Sequence, residues 1–261
     1  MVWRNRLAKF PGGWRLWSPL VLGSILVCGA SEPVFAHARH YVFNQQYQTL
    51  PKGVFEVESH TTLKVPWDEN SNVNTWNFQQ ELEYGVTDHL NLAHYQVWER
   101  QNKRNDDDTT KYAGFFWEAK YRLGEKGKYW VDPLLYFEYK YDPRARFTGA
   151  SHTFESKIVL SKDFGKWNTV YNHVMESKLG HKGRTDHKYT LGLSYEVLKD
   201  TRLGVEAKGD YWRAGSNLNR IALGPVLAYE HQYFWAAVGC AFGVNRHADD
   251  YETKISFGIP F

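Results

Sequence analysis

Apolar and polar residues alternate with a period of two along most of this chain, from about residue 53 to its last residue. The final segment shows the pattern best. One of its faces carries Tyr251, Thr253, Ile255, Phe257, Ile259 and Phe261, and the other carries Glu252, Lys254, Ser256, Gly258 and Pro260. Successive side chains of a β-strand point to opposite faces, so the alternation predicts strands with one apolar and one polar side.

Clusters of turn-forming residues divide this region into twelve predicted strands. The strands are 53–65, 75–86, 90–101, 111–123, 129–141, 152–163, 167–179, 187–198, 201–212, 219–231, 233–244 and 251–261. Short links alternate with longer ones rich in Asp, Asn, Gly, Arg and His. Bacterial outer-membrane barrels have short periplasmic turns and longer extracellular loops. We therefore expect an all-β fold, a transmembrane antiparallel up-and-down β-barrel of about 12 strands with both termini in the periplasm.

Two of the predicted strands fit the alternation poorly. In the third, Leu90 and Leu92 share one parity while Ala93, Tyr95 and Val97 take the other, which favours a β-bulge. In the seventh, the face expected to meet lipid carries His173, Met175 and Ser177, for which the pattern gives no reason.

Ionisable residues collect on the faces opposite the apolar ones. They are costly in a dry core but not in a water-containing lumen. A membrane barrel satisfies every backbone group by closing its sheet, whereas the alternative, a soluble two-layer β protein, would need one core for twelve apolar faces. The candidate lumen-lining residues are Glu56, Glu58, Glu81, Glu83, Glu118, Lys120, Arg122, Glu138, Lys140, Lys157, Glu176, Lys178, Glu206, Lys208 and Asp210.

The first 36 residues differ from the rest. Four basic residues precede an apolar run from Trp17 to Cys28, and small residues lie near Ala36, as in a secretory signal peptide. A membrane anchor needs ~20 apolar residues, which this run lacks, and Val27 before Cys28 disfavours a lipid anchor. We expect cleavage after Ala36, a periplasmic N-terminal segment at 37–52, and an outer-membrane barrel within 37–261.

Charge and composition narrow the function classes. The leader holds four of the 32 basic and one of the 29 acidic residues, so the mature chain has 28 of each and no formal net charge. No nucleic-acid partner is expected from such a balance. Cys240 is then the single cysteine, which excludes a disulfide within the mature chain. Aromatic residues reach 16% although the mean hydropathy is -0.57, which suits strands that alternate aromatic and charged residues.

The leader, the alternation and the ending ISFGIPF at 255–261 together resemble Gram-negative outer-membrane β-barrel proteins. The resemblance implies that Phe257, Ile259 and Phe261 belong to a signal read by the barrel-assembly machinery. It also implies contact with outer-membrane lipid and lipopolysaccharide. The stretch YGVTDHLNL at 84–92 is similar to a hairpin of transporter barrels of the phenol-degradation MetA-pathway type.

Few residues suggest catalysis or metal binding. A lipid-hydrolysing site needs a nucleophile, a His and an orienting group near the outer rim. Residues His173 and Ser177 are ~13 Å apart along a strand, and Ser151 and His152 point to opposite faces. Glu155, close in sequence to Ser151 and His152, is expected to belong to a polar loop. The histidines His37, His40, His181 and His187 lack the ligand spacing of a metal site. Asp106, Asp107 and Asp108 are expected at a solvated loop tip, and Gly124–Lys128 is expected to form a turn because it lacks the spacing of a phosphate loop.

The leading hypothesis is a passive channel or transporter for small polar solutes, in which inward charges replace part of a solute's hydration. No catalytic residue, cofactor or metal is expected, and the solute is unknown. Twelve strands lie between barrels of about eight, which side chains fill, and those of about sixteen, which leave a channel. Two alternatives stay open: a lipid-modifying hydrolase, and a structural or adhesive barrel acting through its extracellular loops.

Overall fold

A computed structural model describes residues 39–67, 73–102, 109–147, 151–180, 183–213 and 219–261. The predicted signal peptide lies outside these residues, as do His37, His181 and the Asp106–Asp108 cluster. Within the described ranges, no helix combines the length and the apolar character needed to cross a membrane.

Twelve antiparallel strands close into one barrel. They are β1 (Phe55–Val65), β2 (Asn74–Thr87), β3 (Leu90–Asn102), β4 (Thr110–Arg122), β5 (Asp132–Tyr141), β6 (His152–Phe164), β7 (Trp167–Leu179), β8 (Arg184–Leu198), β9 (Thr201–Arg213), β10 (Ile221–His231), β11 (Phe234–Gly243) and β12 (Tyr251–Pro260). Each strand pairs with its neighbours in sequence, and β12 returns to β1. The predicted twelve-stranded up-and-down barrel is confirmed, with strand ends within a few residues of expectation.

The first and last strands close the barrel. Glu56 to Val65 pair with Pro260 to Tyr251 in continuous register. Just beyond that ladder, Phe55 N donates to Phe261 O at 3.1 Å and Phe261 N donates to Phe55 O at 2.8 Å. A sheet closed in this way leaves no edge with unpaired backbone groups, as a barrel in hydrocarbon requires.

The two faces of the sheet differ as the alternation predicts. In β12, Ile255 and Phe257 are exposed to the outside, whereas Glu252 and Ser256 are buried inside the barrel. The same holds around the whole sheet, where outward Trp117, Ile158, Leu191, Val205 and Leu223 are all about half exposed. An exposed apolar belt of this extent is unusual on a soluble protein and fits contact with lipid.

Most links are shorter at one end of the barrel: four of its five have two residues and the fifth, 123–131, has nine, whereas the links at the other end have four to ten residues. One end holds residue 54 before β1, Phe261 after β12, and the links 88–89, 123–131, 165–166, 199–200 and 232–233. We call this the short-turn end. The opposite end carries the links after β1, β3, β5, β7, β9 and β11, and we call it the long-loop end.

The predicted bulge in the third strand is wrong. Residues in β3 alternate without interruption: Ala93, Tyr95 and Val97 are buried inside, and Leu92 is exposed outside. Ala93, Tyr95 and Val97 pack against one another in an apolar part of the interior. The Tyr95 hydroxyl also donates a hydrogen bond to Glu118 there, at 2.5 Å. The irregularities lie in the two strands beside it, between Gly85 and Thr87 in β2 and opposite Val97 and Trp98 in β4.

In β4 the register to β3 shifts by one residue. Val97 pairs with Gly114 and Trp98 pairs with Tyr112, so the residue between them has no partner in β3. Gly114 has a φ of 125°, a backbone conformation that only glycine adopts readily. The bulge therefore lies one strand away from its predicted position.

Polar residues on the outer face of β7 pair with residues of β8. His173 Nε2 lies 3.3 Å from His187 Nδ1, and the Ser177 and Thr185 hydroxyls are 3.0 Å apart. These side chains point outward, in the half of the barrel nearer the long-loop end. Hydrogen bonding between strands lowers the cost of a polar group beside lipid, which accounts for residues that the alternation does not explain.

Candidate functional site

Charged side chains line the barrel interior. All fifteen candidates from the sequence lie on the inward faces of their strands: Glu56, Glu58, Glu81, Glu83, Glu118, Lys120, Arg122, Glu138, Lys140, Lys157, Glu176, Lys178, Glu206, Lys208 and Asp210. Their neighbours of the same parity add further inward charges: Glu155 and Lys188, which the sequence prediction missed, and Glu252, which it placed on the polar face of the last strand. The interior is thus a densely charged surface enclosed by an apolar belt.

On one wall the charges form a continuous row across three strands. Lys140 Nζ lies 2.8 Å from Glu138 and 2.8 Å from Glu155, and Lys157 Nζ lies 2.8 Å from the other Glu155 oxygen. The Tyr136 hydroxyl, between Glu118 and Glu138, contacts both at 2.8 and 2.7 Å. Charges paired in this way keep fixed positions, so they present a defined field to anything in the lumen.

The N-terminal segment 39–52 lies inside the barrel as far as Leu50, in the short-turn half, and Pro51 and Lys52 are exposed. The sequence predicted a periplasmic N-terminal segment at 37–52 but gave no position for it relative to the lumen. Tyr41 is completely buried and Leu50 is 2% exposed. The Tyr41 hydroxyl donates to Asn168 at 2.9 Å, and Gln45 exchanges hydrogen bonds of 2.8 and 2.9 Å with Asn172. The segment enters because the inward faces of distant strands satisfy its polar groups.

Glu206 is the main attachment point of this segment. Its carboxylate accepts hydrogen bonds from the backbone N–H groups of Val42, Phe43 and Asn44, at 3.1, 2.8 and 3.1 Å. The side-chain amide of Asn44 donates to the same carboxylate at 2.9 Å. Consecutive backbone N–H groups make a concave site for an anion, so one lumen carboxylate anchors three residues of the segment.

Glycines in the barrel wall make room for the segment. A Cβ at Gly192 would lie 2.6 Å from the Tyr41 ring, and one at Gly239 would lie 2.6 Å from Val42. Real Cβ atoms do not approach other atoms so closely. Glycines on inward faces in mid-strand are a sequence signal for close approach by another part of the chain, and this signal could have located the segment.

Apolar packing fills the rest of the short-turn half. Tyr41 and Val42 belong to one buried cluster with wall residues from four or more strands. Trp235, completely buried in that cluster, also donates its indole N–H to Glu56 at 3.0 Å. The short-turn half of the lumen is therefore packed with side chains of the wall and of the segment, apolar in one part and charged around Glu56 and Glu83 in another.

A cavity of about 270 Å³ occupies the long-loop half. Phe43 of the N-terminal segment lines it, and so do the ion pairs Lys208–Glu252 at 2.5 Å and Arg220–Asp210 at 2.8 Å. Three alanines form part of its wall: Ala222, Ala241 and Ala248. A second cavity, of about 200 Å³, lies along the segment and shares Phe43 with the first. The segment thus borders both internal spaces.

The candidate hydrolase residues do not assemble into a nucleophile and base. His152 Nδ1 contacts the Tyr139 hydroxyl at 2.5 Å, and His173 and Ser177 contact different partners. Glu155 points into the lumen and pairs with Lys140. Gly124–Lys128 forms a turn, in which Lys128 N donates to Glu125 O at 3.1 Å. None of the described candidate residues brings a serine hydroxyl to a histidine.

Comparison with known proteins gives structural relatives but no sequence family. No protein-family model and no curated protein matches the chain. An outer-membrane channel from Pseudomonas putida F1 aligns with a TM-score of 0.58 and 13% identity, covering 85% of this chain and 100% of that one. The translocator domain of the autotransporter NalP from Neisseria meningitidis aligns with a TM-score of 0.51 and 10% identity, covering 80% and 89%.

Outer membrane phospholipase A from Escherichia coli also aligns, over 89% of this chain and 98% of that one, with 13% identity. Its TM-score of 0.44 is too low to bear on activity. Identities at this level establish the fold alone. The chain has the fold of Gram-negative outer-membrane β-barrels, and its apolar outer belt fits that location.

Proposed function

We propose that this barrel is an outer-membrane channel for small polar solutes, with its N-terminal segment as a displaceable plug. The observation that carries the proposal is the segment 39–52 held across a charged lumen, with a cavity of about 270 Å³ next to it. In this proposal the short-turn end faces the periplasm. The solute enters from the long-loop end and reaches the segment before it can cross.

The chemistry of the larger cavity favours small polar or zwitterionic solutes. Carboxylates and ammonium groups from opposite walls line the same space, so a solute with both charges finds a partner for each. These groups replace part of the solute's hydration shell, as polar linings do in selective pores. Phe43 and the alanines give the same cavity a small apolar surface.

Displacement of the segment depends on Glu206. Four donors of the segment converge on this carboxylate, and hydrogen bonds to a charged group contribute ~2 kcal/mol. We expect Glu206→Gln, which removes the charge at nearly constant size, to raise the open fraction about 30-fold. Purified wild type and variant are compared in planar lipid bilayers by single-channel conductance and by solute flux into liposomes.

Glu125→Gln is the matched control, because it makes the same chemical change in an exposed turn. It is expected to conduct like the wild type. Absence of ion or solute flux in the wild type and in Glu206→Gln alike would remove the channel proposal. If all three proteins had the same open fraction, the segment would not be a plug that Glu206 holds in place, and the channel proposal would still stand.

A further inference from the structure

Carboxylates outnumber cations in one buried corner of the lumen. Glu56 pairs directly with Glu83 across β1 and β2, and Glu58 pairs with Glu81. All four side chains are at most 2% exposed. Like charges directly opposite one another destabilise a sheet, and burial makes the repulsion stronger.

The nearby cations do not balance this group. Arg39 lies 2.8 Å from Glu58 and 3.5 Å from Glu81. Lys120 lies 2.5 Å from Glu83, but it is shared with a further carboxylate, Glu118, at 3.4 Å. Among the described residues these are the Lys and Arg side chains within ion-pair distance of the four carboxylates. Counted with all four carboxylates ionised and His60, 3.1 Å from Glu58 and Glu81, neutral, two negative charges are left for another cation to neutralise.

Three of the carboxylates have the spacing of ligands around one ion. Glu56, Glu58 and Glu83 each offer an oxygen, and these oxygens lie within 4.8 Å of one another. Oxygen ligands at 2.3–2.6 Å from a calcium ion are up to about 5 Å apart. The same three residues line a cavity of about 20 Å³ that the N-terminal segment covers, which is room for about one water-sized ion.

Two buried oxygens beside this cavity independently indicate a ligand. Asn91, 1% exposed, lines the cavity and donates its amide N–H to Glu83. In the part of the chain that the structure describes, no donor reaches its Oδ1 atom or the Oε2 atom of Glu56. Fully buried polar atoms are rarely without a partner. An amide oxygen among carboxylates is a typical ligand for a hard divalent cation.

We propose that Glu56, Glu58, Glu83 and the Asn91 amide oxygen bind one divalent cation of the calcium class beneath the N-terminal segment. The donor set contains only oxygen, which suits Ca²⁺ better than Zn²⁺. The neighbouring group of Glu58, His60 and Glu81 shares Glu58 with this site, and its Glu81 already lies 3.5 Å from Arg39 and 3.1 Å from His60. The binding of a cation at this site does not depend on solute transport. A binding measurement can therefore succeed or fail independently of the channel proposal.

Calcium binding is measured by isothermal titration calorimetry on the folded, chelator-treated full-length mature protein in detergent micelles. We expect one Ca²⁺ per chain with a Kd between about 10⁻⁶ and 10⁻³ M. Glu56→Gln keeps the acceptor for Trp235 but removes one ligand charge, and is expected to weaken binding at least about tenfold. Asn91→Leu is expected to weaken it as well.

Two control variants distinguish binding at a defined site from non-specific attraction of Ca²⁺ to nearby carboxylates. Glu118→Gln removes a charge from the same corner without removing a ligand, and Glu125→Gln removes one from an exposed turn. Both are expected to stay within about threefold of the wild type. If a variant fails to fold, a rise in the unfolding temperature of the wild type with Ca²⁺ and a fall with chelator still test the site. No saturable binding, or equal losses in Glu56→Gln and Glu118→Gln, would overturn the proposal.

Discussion

Lys120 illustrates what a single buried charge contributes inside this barrel. Its ammonium group is the cation nearest to Glu83 and Glu118, both at most 4% exposed. Lys120→Met preserves the length of the side chain but leaves two buried carboxylates without that cation. Such a loss costs about 3–5 kcal/mol. We expect the free energy of unfolding, measured by urea titration in detergent or lipid, to fall by this amount.

Lys178→Met provides the comparison for this prediction. Lys178 also lies on an inward face, but it is only half-buried and close to the long-loop end. Its substitution is expected to change the free energy of unfolding by less than about 0.5 kcal/mol. Equal effects at the two positions would mean that burial of the charge does not determine its contribution.

At the scale of elements, the bulge in β4 sets the register between β4 and its neighbours. Gly114 has a φ of 125°, and a Cβ at this position would lie only 1.8 Å from the carbonyl oxygen of Tyr141. Gly114→Ala therefore meets both strain and a backbone clash. We expect it to lower the free energy of unfolding by more than about 2 kcal/mol, measured by denaturant titration.

Gly127→Ala separates the clash from the strain. Gly127 has a φ of 81°, but nothing lies within 4 Å of its Cβ position. Only the strain of a left-handed backbone remains there, at about 1–2 kcal/mol. If Gly114→Ala were no more destabilising than Gly127→Ala, the close approach to Tyr141 would not constrain the strand.

The N-terminal segment shows how an element without regular structure can depend on the whole barrel. It carries little alternation of its own, and its partners are spread over several strands. The Tyr41 hydroxyl reaches Asn168, and the Thr49 hydroxyl donates to Asp88 O at 2.6 Å. Because these partners are far away in sequence, no local pattern predicts where the segment lies.

At the scale of the molecule, the apolar belt determines the conditions under which the chain folds. We expect the leaderless chain, residues 37–261, to refold from urea into a β-rich form that resists unfolding in gel electrophoresis without heating, but only with detergent or lipid vesicles present. In buffer alone the exposed belt should cause aggregation. A monomeric folded chain in buffer, seen by circular dichroism and sedimentation, would contradict the membrane barrel.

The sequence by itself determined the number of strands, their approximate ends, the closed antiparallel fold and the side of each strand that carries charge. These properties follow from a period of two residues, which adjacent residues encode and which the sheet preserves. For this reason the alternation alone assigns the inward charges in β12 and the apolar residues opposite them.

Only the tertiary structure decided how the lumen is filled. The burial of Tyr41, the attachment of the segment to Glu206 and the meeting of Glu56 with Glu83 and Asn91 each require strands to pair in one register and then close. The bulge lies in β4 and not in β3 for a similar reason, since Tyr95 finds a partner inside. Alternation states which side a residue faces, but the residue it meets there depends on contacts between distant parts of the chain.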